Sequence, residues 1–537
     1  MKQSNSRWAV NLTALVLAAG LLIGLTGCFQ LGSSKPKPNK PPLFQTDGHG
    51  VITGYNCIKE ELPKALVIPA KIGNEVITGI RYGAFSGCTG LTSLDLSACT
   101  SLTVIGVEEK IDLNIGAFQG CTGLTEVKLP ASLTKIGKET FSGCTGLTSI
   151  DLSSCTNLTE IGNEAFKGCK GLTEVKLPAN LTTIGSSAFS GCTGLTEVKL
   201  PANLTTIGSF AFSDCTGLTS IDLSGCTSLT KIEEYAFSSC EGLTEVKLPA
   251  SLTKIGGFSG CTGLTSIDLS SFTNLTEIGY AAFSNCTNLT EVKLPASLTK
   301  IIGGFSGCTG LTSIDLSSFT NLTEIGSSAF SGCTGLTEVK LPVSLTEIGS
   351  YAFSGCTGLT EVKLPASLTE IGKQAFEGCT GLASIDLSGC TSLTEIGEEA
   401  FKACSNLTGT IVFPASLKTI KSYKYDNFYG IAVFVGAFEG CTKLQGADFS
   451  ACTNFTKIES CTFKNCTSLT EVKLPASLNE IGKEAFKDCT GLTSAVFADK
   501  HNWKAGGTPI SSTALDNAET AALYLRQTYV DKYWKKN

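Results

Sequence analysis

Cysteine is the residue type best placed to do chemistry in this 537-residue chain, with 25 copies against only 2 histidines. Thiols in that number could form disulfides, hold zinc or carry acyl chains. Their spacing decides among these. Seventeen stand three residues after the phenylalanine that recurs once per repeat, from Cys88 after Phe85 to Cys489 after Phe486. Five more (Cys99, Cys155, Cys226, Cys390 and Cys452) fall in a second column, leaving Cys28, Cys57 and Cys461. Disulfide partners in the main column would have to be stacked neighbours whose side chains point the same way. In the second column Phe272 and Phe319 stand where the others have cysteine, and a pocket that accepts either residue is apolar. No Cys-x-x-Cys pair offers zinc spacing. Both columns therefore read as small buried hydrophobes carrying free thiols; a disulfide framework is the alternative for an exported chain.

Cys28 stands apart. Lys2 and Arg7 precede an apolar run, Ala14 to Leu25, that is too short to span a bilayer and ends in Leu25-Thr26-Gly27-Cys28. The stretch resembles a bacterial lipobox, in which the leader is cut before the cysteine and the thiol takes a diacylglycerol. It predicts a lipoprotein signal peptide over 1–27 and lipidation at Cys28. Residues 28–44, rich in proline, lysine and serine, read as a tether. Acyl chains hold such a terminus in its membrane, so the expected location is the bacterial cell surface, lipid-anchored to the outer membrane.

Other chemistry is sparse. His49 and His501 lie outside the repeated region, and no phosphate loop, His-Glu-x-x-His or Gly-x-Ser-x-Gly motif occurs. No enzyme, cofactor or metal is expected. Charged residues make up 16% of the chain and the net charge is 41 − 47 = −6, with no basic stripe in the repeats for nucleic acid.

What positions the cysteines is a repeat. Leu195 to Leu218 is 23 residues and Leu218 to Leu243 is 25, and the unit recurs from about residue 65 to residue 497. Leu-x-x-Leu-x-Leu spacing at this period predicts a mainly β, right-handed leucine-rich-repeat solenoid of about 17 coils. Leu195, Val198 and Leu200 alternate with Glu197 and Lys199 as a strand with one buried face, and Pro201 ends it. Leu204 and Ile207 form a second short buried stretch, Gly208 is expected to turn the chain, and Thr216-Gly217 to return it. The backing is extended or irregular. Phe85, Phe118, Phe141 and their successors to Phe486 should stack as a spine. Coils of 25 residues carry Asp-Leu-Ser-Ser-Cys-Thr-Asn-Leu (151–158) where the others carry Lys-Leu-Pro. Asn157, Asn180 and Asn203, although in Asn-Leu-Thr triplets, read as turn residues.

The outward strand positions form any recognition surface. One column runs Asp95, Lys128, Asp151, Lys176, Lys199, Asp222, Lys247, so lysine mostly faces aspartate on the neighbouring coil. Two insertions break the period, near 107–114 and at 421–435. The second holds Tyr423, Tyr425, Phe428 and Tyr429, the densest aromatic group in the chain and a candidate ligand contact. Residues 45–64 read as an N-terminal β cap: a hairpin over 47–56 leads into the first coil at Ala65. Residues 498–537 read as a C-terminal cap. There Asp516-Asn-Ala-Glu519 suggests a capping box, and Ala518, Ala522, Leu525, Tyr529 and Tyr533 suggest one helical face.

The unit Ser344 to Pro365, with its Ile-Gly…Ala-Phe…Cys…Leu…Leu-Pro pattern, resembles the BspA-like leucine-rich repeats over about four fifths of the chain. The resemblance implies a surface protein that adheres to host matrix or plasma proteins, epithelial cells or other microbes. A monomer without nucleic-acid partners is expected. A structural or scaffolding lipoprotein facing the periplasm is the alternative.

Overall fold

The computed structural model describes residues 42–107, 115–426 and 432–536. Every element below belongs to the unit Leu43–Asn537. The expected leader, the tether apart from its last residues and Cys28 lie outside the described residues, as do 108–114, Phe428 and Tyr429.

Each coil contributes a three-residue strand such as Glu174–Lys176 or Glu197–Lys199. Val175 and Val198 are buried between exposed Glu and Lys, as the period-2 pattern demands. These strands pair in parallel and in register in separate runs of two to four coils, Val175 opposite Val198 in one of them. The backing is more regular than expected. Two-residue strands such as Thr183–Ile184 and Thr206–Ile207 build a second parallel ladder. It runs as one eight-stranded sheet ending at Thr206–Ile207, a second from Lys254–Ile255 to Thr419–Ile420, to which an isolated bridge adds Lys231, and a third that starts at Lys457–Ile458. The third side is not strand, yet it is hydrogen-bonded from coil to coil: Phe189 N–H donates to Ala211 C=O at 2.7 Å and Gly191 N–H to Ser213 C=O at 2.7 Å. Backbone polar groups inside the stack thus find partners on all three sides.

The interior holds the leucine, isoleucine, phenylalanine and cysteine columns. Successive spine rings stack, for example Phe166 on Phe189 at 5.2 Å and 2°. Seventeen phenylalanines form the column from Phe85 to Phe486. Tyr55 closes its N-terminal end at 5.6 Å from Phe85, with Phe44 edge-on. All described cysteines are free thiols, and only Cys57 is not buried. Main-column thiols donate to the spine carbonyl of the preceding coil: Cys215 Sγ to Phe189 O at 3.3 Å, Cys240 to Phe212 O at 3.1 Å, and likewise along the stack. Second-column thiols reach the strand end of the coil before, Cys226 to Pro201 O at 3.4 Å. Phe272 and Phe319 fill the equivalent pockets and are buried.

Gly208 does not act as a turn residue. A Cβ there would lie 2.6 Å from Ser186 N and 2.8 Å from Gly185 C. Its lack of a side chain lets the preceding coil approach, and Gly217, 2.6 Å from Thr193 O on the same construction, serves the same end. The left-handed bend falls instead two residues before the spine ring, on ordinary residues: Ser187 (φ 55°), Phe210 (φ 58°), Tyr235 (φ 61°), Tyr351 (φ 59°). Each costs about 1 kcal/mol or more and is held by the coil ladder. In the longer coils an Asx turn replaces the strand-ending proline: the Asp151 carboxylate accepts from Ser153 N–H at 2.9 Å and from its hydroxyl at 2.5 Å. The asparagines are turn residues as expected, Asn180 donating to Thr156 O at 2.8 Å.

The ends are covered. Phe44–Thr46 and Val51–Tyr55 form an antiparallel hairpin whose second strand starts the backing ladder against Gly79–Arg81. The C-terminal cap differs from the expected single helix. Ser511 caps a first helix, Ser512–Asp516, so Asp516 is itself helical and cannot cap the next. Asn517 does so, accepting from Thr520 N–H at 2.8 Å. Ala518–Leu523 then passes into a π turn, Tyr524–Thr528, and Tyr529 and Tyr533 lie beyond it. The tail ends as a strand, Trp534–Lys536, antiparallel to Glu480–Ile481 and to Trp503–Ala505. Trp503 and Trp534 are buried beneath it, edge to face at 6.2 Å.

Candidate functional surface

The three-residue strands carry the outward columns read from the sequence, Glu174 and Lys176 or Glu197 and Lys199. Where a 25-residue coil precedes a 23-residue one, lysine does face aspartate: Lys176 to Asp151 at 3.9 Å, Lys293 to Asp268 at 3.6 Å, Lys340 to Asp315 at 3.4 Å and Lys473 to Asp448 at 3.1 Å. Each lysine also meets the glutamate of its own strand, as Lys247 meets Glu245 at 3.0 Å. The aspartates sit below the usual carboxylate range, first because the Ser hydroxyl and N–H two residues on donate to them. The surface is therefore largely self-neutralised.

That pairing fails where two short coils adjoin. There Glu174 faces Glu197 and Lys176 faces Lys199, and likewise Lys340 faces Lys363. At the first of these junctions the strand face opens into a hollow of about 650 Å³, lined by Ser153, Thr173, Lys176, Leu177, Thr196 and Lys199. Lys199 is 89% exposed there. Glu174 and Glu197 line it as well and pair with Lys176 and Lys199 at 3.6 and 3.8 Å, so its charges balance.

The backing ladder carries a different pattern. Glu324, Glu347, Glu370 and Glu395 stand in register on four successive coils. Lys300 pairs with the first at 2.6 Å and Lys421 with the last. The Glu347 carboxyl is raised by partial burial and then by Glu324 and Glu370 on either side.

The aromatic insertion is an antiparallel hairpin, Tyr423–Asp426 against Ala432–Val435. The structure brings Tyr423 and Tyr425 together, centroids 5.7 Å apart. Lys373 Nζ covers the Tyr423 ring at 3.8 Å, and Tyr425 is 42% exposed. Further exposed rings share the left-handed edge of the coils and were not singled out from sequence. Phe210 stacks on Tyr235 at 5.0 Å, and Tyr280 and Tyr351 are also exposed. Their signal is an aromatic at or one place before the bend, where other coils have small or polar residues such as Ser187, Gln374 or Glu399.

Among the described residues no group of three or more His, Cys, Asp or Glu could hold a metal ion. No helix among them is long and apolar enough to cross a membrane.

A family model described as BspA type Leucine rich repeat region, in 6 copies, matches residues 111–228, 216–318, 302–432 and 433–516. Among solved structures, the chain is similar to a leucine-rich repeat protein from Bacteroides ovatus, with 27% identity and a TM-score of 0.46, covering 81% of this chain and 92% of that one. A leucine rich cell surface protein from Faecalibacterium prausnitzii matches with 23% identity and a TM-score of 0.40, over 78% and 95%. The leucine rich repeat protein of T. pallidum matches with 28% identity and a TM-score of 0.30, over 43% and 91%. No curated protein matches the chain.

Proposed function

The chain belongs to the BspA-type leucine-rich-repeat family, and from that premise we propose that it is a surface-displayed lipoprotein adhesin. It binds proteins of host matrix, plasma or epithelial surfaces, or of other microbes, through the outward face of its three-residue strands. The observation that carries this reading is that face itself, on which the same Glu, Ser, Lys and Asp positions recur from coil to coil in short in-register sheets of two to four strands. Each coil offers a modest contact, and affinity gathers by multivalency. Leu25-Thr26-Gly27-Cys28 and the following tether supply the anchor and the reach. In domain terms, 1–27 is the leader, 28–44 the tether, 45–64 the first cap, 65–497 the solenoid and 498–537 the second cap.

The self-neutralisation of the same face favours a second reading, a structural lipoprotein facing the periplasm, because paired charges leave little for a partner to neutralise. Protease treatment of intact cells separates the two. An adhesin is shaved from the surface, whereas a periplasm-facing scaffold survives. In a parallel assay, purified chains lacking whole internal coils are tested on immobilised matrix proteins and epithelial cells. A graded loss of binding supports the distributed surface; no binding by the intact chain overturns it.

A further inference from the structure

Between the aromatic hairpin and the last two coils lies a cavity of about 500 Å³, lined by Val433, Phe434, Cys461, Lys464, Lys483, Glu484 and Lys487. Its size falls within the range of small-ligand sites. Its charge is unlike that of the rest of the molecule. Three lysines and one glutamate give it 3 − 1 = +2 in a chain of net −6. Glu484 is shared by two of the lysines, Lys464 and Lys487, each at 3.3 Å. Lys483 has no carboxylate partner among the described residues; its Nζ sits 5.3 Å over the Tyr533 ring. Glu439, the other acid near Lys464, is half-buried and accepts from Gly436 N–H at 3.3 Å.

The hairpin adds to the excess. Lys424 stands directly opposite Phe434 in its register. Directly opposed residues share a face, so Lys424 lies on the side of the hairpin that turns Phe434 to the cavity. It is exposed. The cavity thus has an apolar wall, Val433 and Phe434, facing a cationic wall, Lys464, Lys483 and Lys487. Lys424 stands at its margin, and Lys483 is left without a carboxylate partner among the described residues.

We propose that this cavity binds an acidic saccharide, a sugar ring bearing a carboxylate or sulfate. A pyranose has an apolar C–H face that covers Phe434 and a rim of hydroxyls that meets the lysine ammoniums and Glu484. Its anionic substituent neutralises Lys483 and Lys424. A lone acidic side chain of a peptide satisfies the charge but leaves the apolar wall uncovered. The site lies apart from the strand face and does not rest on the adhesin reading.

The test is isothermal titration of the full chain with sialyllactose, a heparin-derived tetrasaccharide, neutral lactose and an oligoglutamate peptide. The two acidic sugars distinguish carboxylate from sulfate as the source of the anion. One of them is expected to bind with a stoichiometry of one, weakening as salt is raised, while lactose and the peptide do not. Lys483→Glu is expected to weaken binding at least about tenfold. Lys424→Glu, on the exposed hairpin where folding is not at risk, is expected to weaken it several-fold. Both are expected to leave binding to matrix proteins unchanged. The proposal is overturned if neither acidic sugar binds, if both substitutions leave the affinity unchanged, or if the peptide binds as tightly as the sugars.

Discussion

The thiol of Cys215 donates to the main-chain carbonyl of Phe189, one coil earlier, at 3.3 Å. The cysteine is thus both a small apolar filler and the donor that satisfies a buried carbonyl, and the relationship repeats along the stack. It explains a column of thiols without disulfides: from Cys121 to Cys489 each main-column sulfur is engaged with a carbonyl of the coil before it. Burial pushes these thiols up, Cys192 and Cys240 to about 12, so they stay protonated and unreactive at neutral pH.

Alkylation of the native protein with iodoacetamide, followed by peptide mass mapping, is expected to label Cys57 first among the described cysteines. The columns should react only after unfolding, and without added reductant. Columns that remain blocked in denaturant until reductant is added would contradict free thiols.

The two columns should tolerate substitution differently. Cys226→Phe imitates coils that already hold Phe272 and Phe319 and is expected to cost less than about 1 kcal/mol. Cys215→Phe overpacks the spine and loses its hydrogen bond, and is expected to cost roughly 1–3 kcal/mol. Urea unfolding followed by circular dichroism gives both values. Equal costs would mean that the loop pockets are no more permissive than the core.

Two phenylalanines two residues apart make a sharper contrast. Phe212 is fully buried between Phe189 and Phe237, whereas Phe210 is 42% exposed. Phe212→Ala is expected to destabilise by roughly 3–5 kcal/mol, and Phe210→Ala by less than about 1 kcal/mol. The same unfolding curves decide it.

Gly208→Ala should be more costly than a loss of backbone freedom explains, because the added methyl would meet the Ser186 and Gly185 backbone at 2.6 and 2.8 Å. Ser187→Gly, at a left-handed position, should be neutral or mildly stabilising. Melting temperatures that move the opposite way for the pair would place the turn at the glycine after all.

The cap should be acid-sensitive. Asp499 is lowered to about 2, first by the His501 N–H and then by Lys536, which it meets at 3.0 Å. A carboxyl lowered in the folded state stabilises above its unfolded value, near 4, and that contribution fades as pH falls from about 4 through 2. Fluorescence of Trp503 and Trp534 should report loosening over that window. Asp499→Asn should show part of the change already at pH 7. Glu347 behaves in the opposite sense, since its raised carboxyl opposes folding while ionised. Glu347→Gln is therefore expected to stabilise slightly at neutral pH, by a few tenths of a kcal/mol, an effect that should shrink in acid.

Much of this was readable from the chain because a repeat multiplies weak signals. One Val between Glu and Lys says little, but the same trio recurring from coil to coil fixes a strand, and the Phe-x-x-Cys spacing fixes the core beside it. What escaped is what occurs once or leaves no pattern. Strands as short as Thr183–Ile184 show no alternation. Left-handed bends on Ser187 or Tyr351 carry no glycine signature, because inter-coil hydrogen bonds rather than residue preference hold them. In the tail, Ser511 began a helix one turn earlier than the capping box suggested, which passed the capping role to Asn517. The lysine cavity draws Lys424, Lys464, Lys483 and Lys487 from separate coils and an insertion, and nothing local in the sequence joins them.

The last strand, Trp534–Lys536, runs against the grain of the ladder it joins. All earlier rungs of that ladder from Val51 onward are parallel, so any new coil could extend them, whereas this one reverses the direction and offers no template for a further parallel rung. Growth is thereby closed at the terminus and left open in the middle. Inserting or excising a whole coil in the coding sequence, as unequal exchange between near-identical repeats does, leaves each new neighbour meeting the same contacts as the old. The molecule's reach is thus a heritable length that can change in single steps while both of its ends stay sealed.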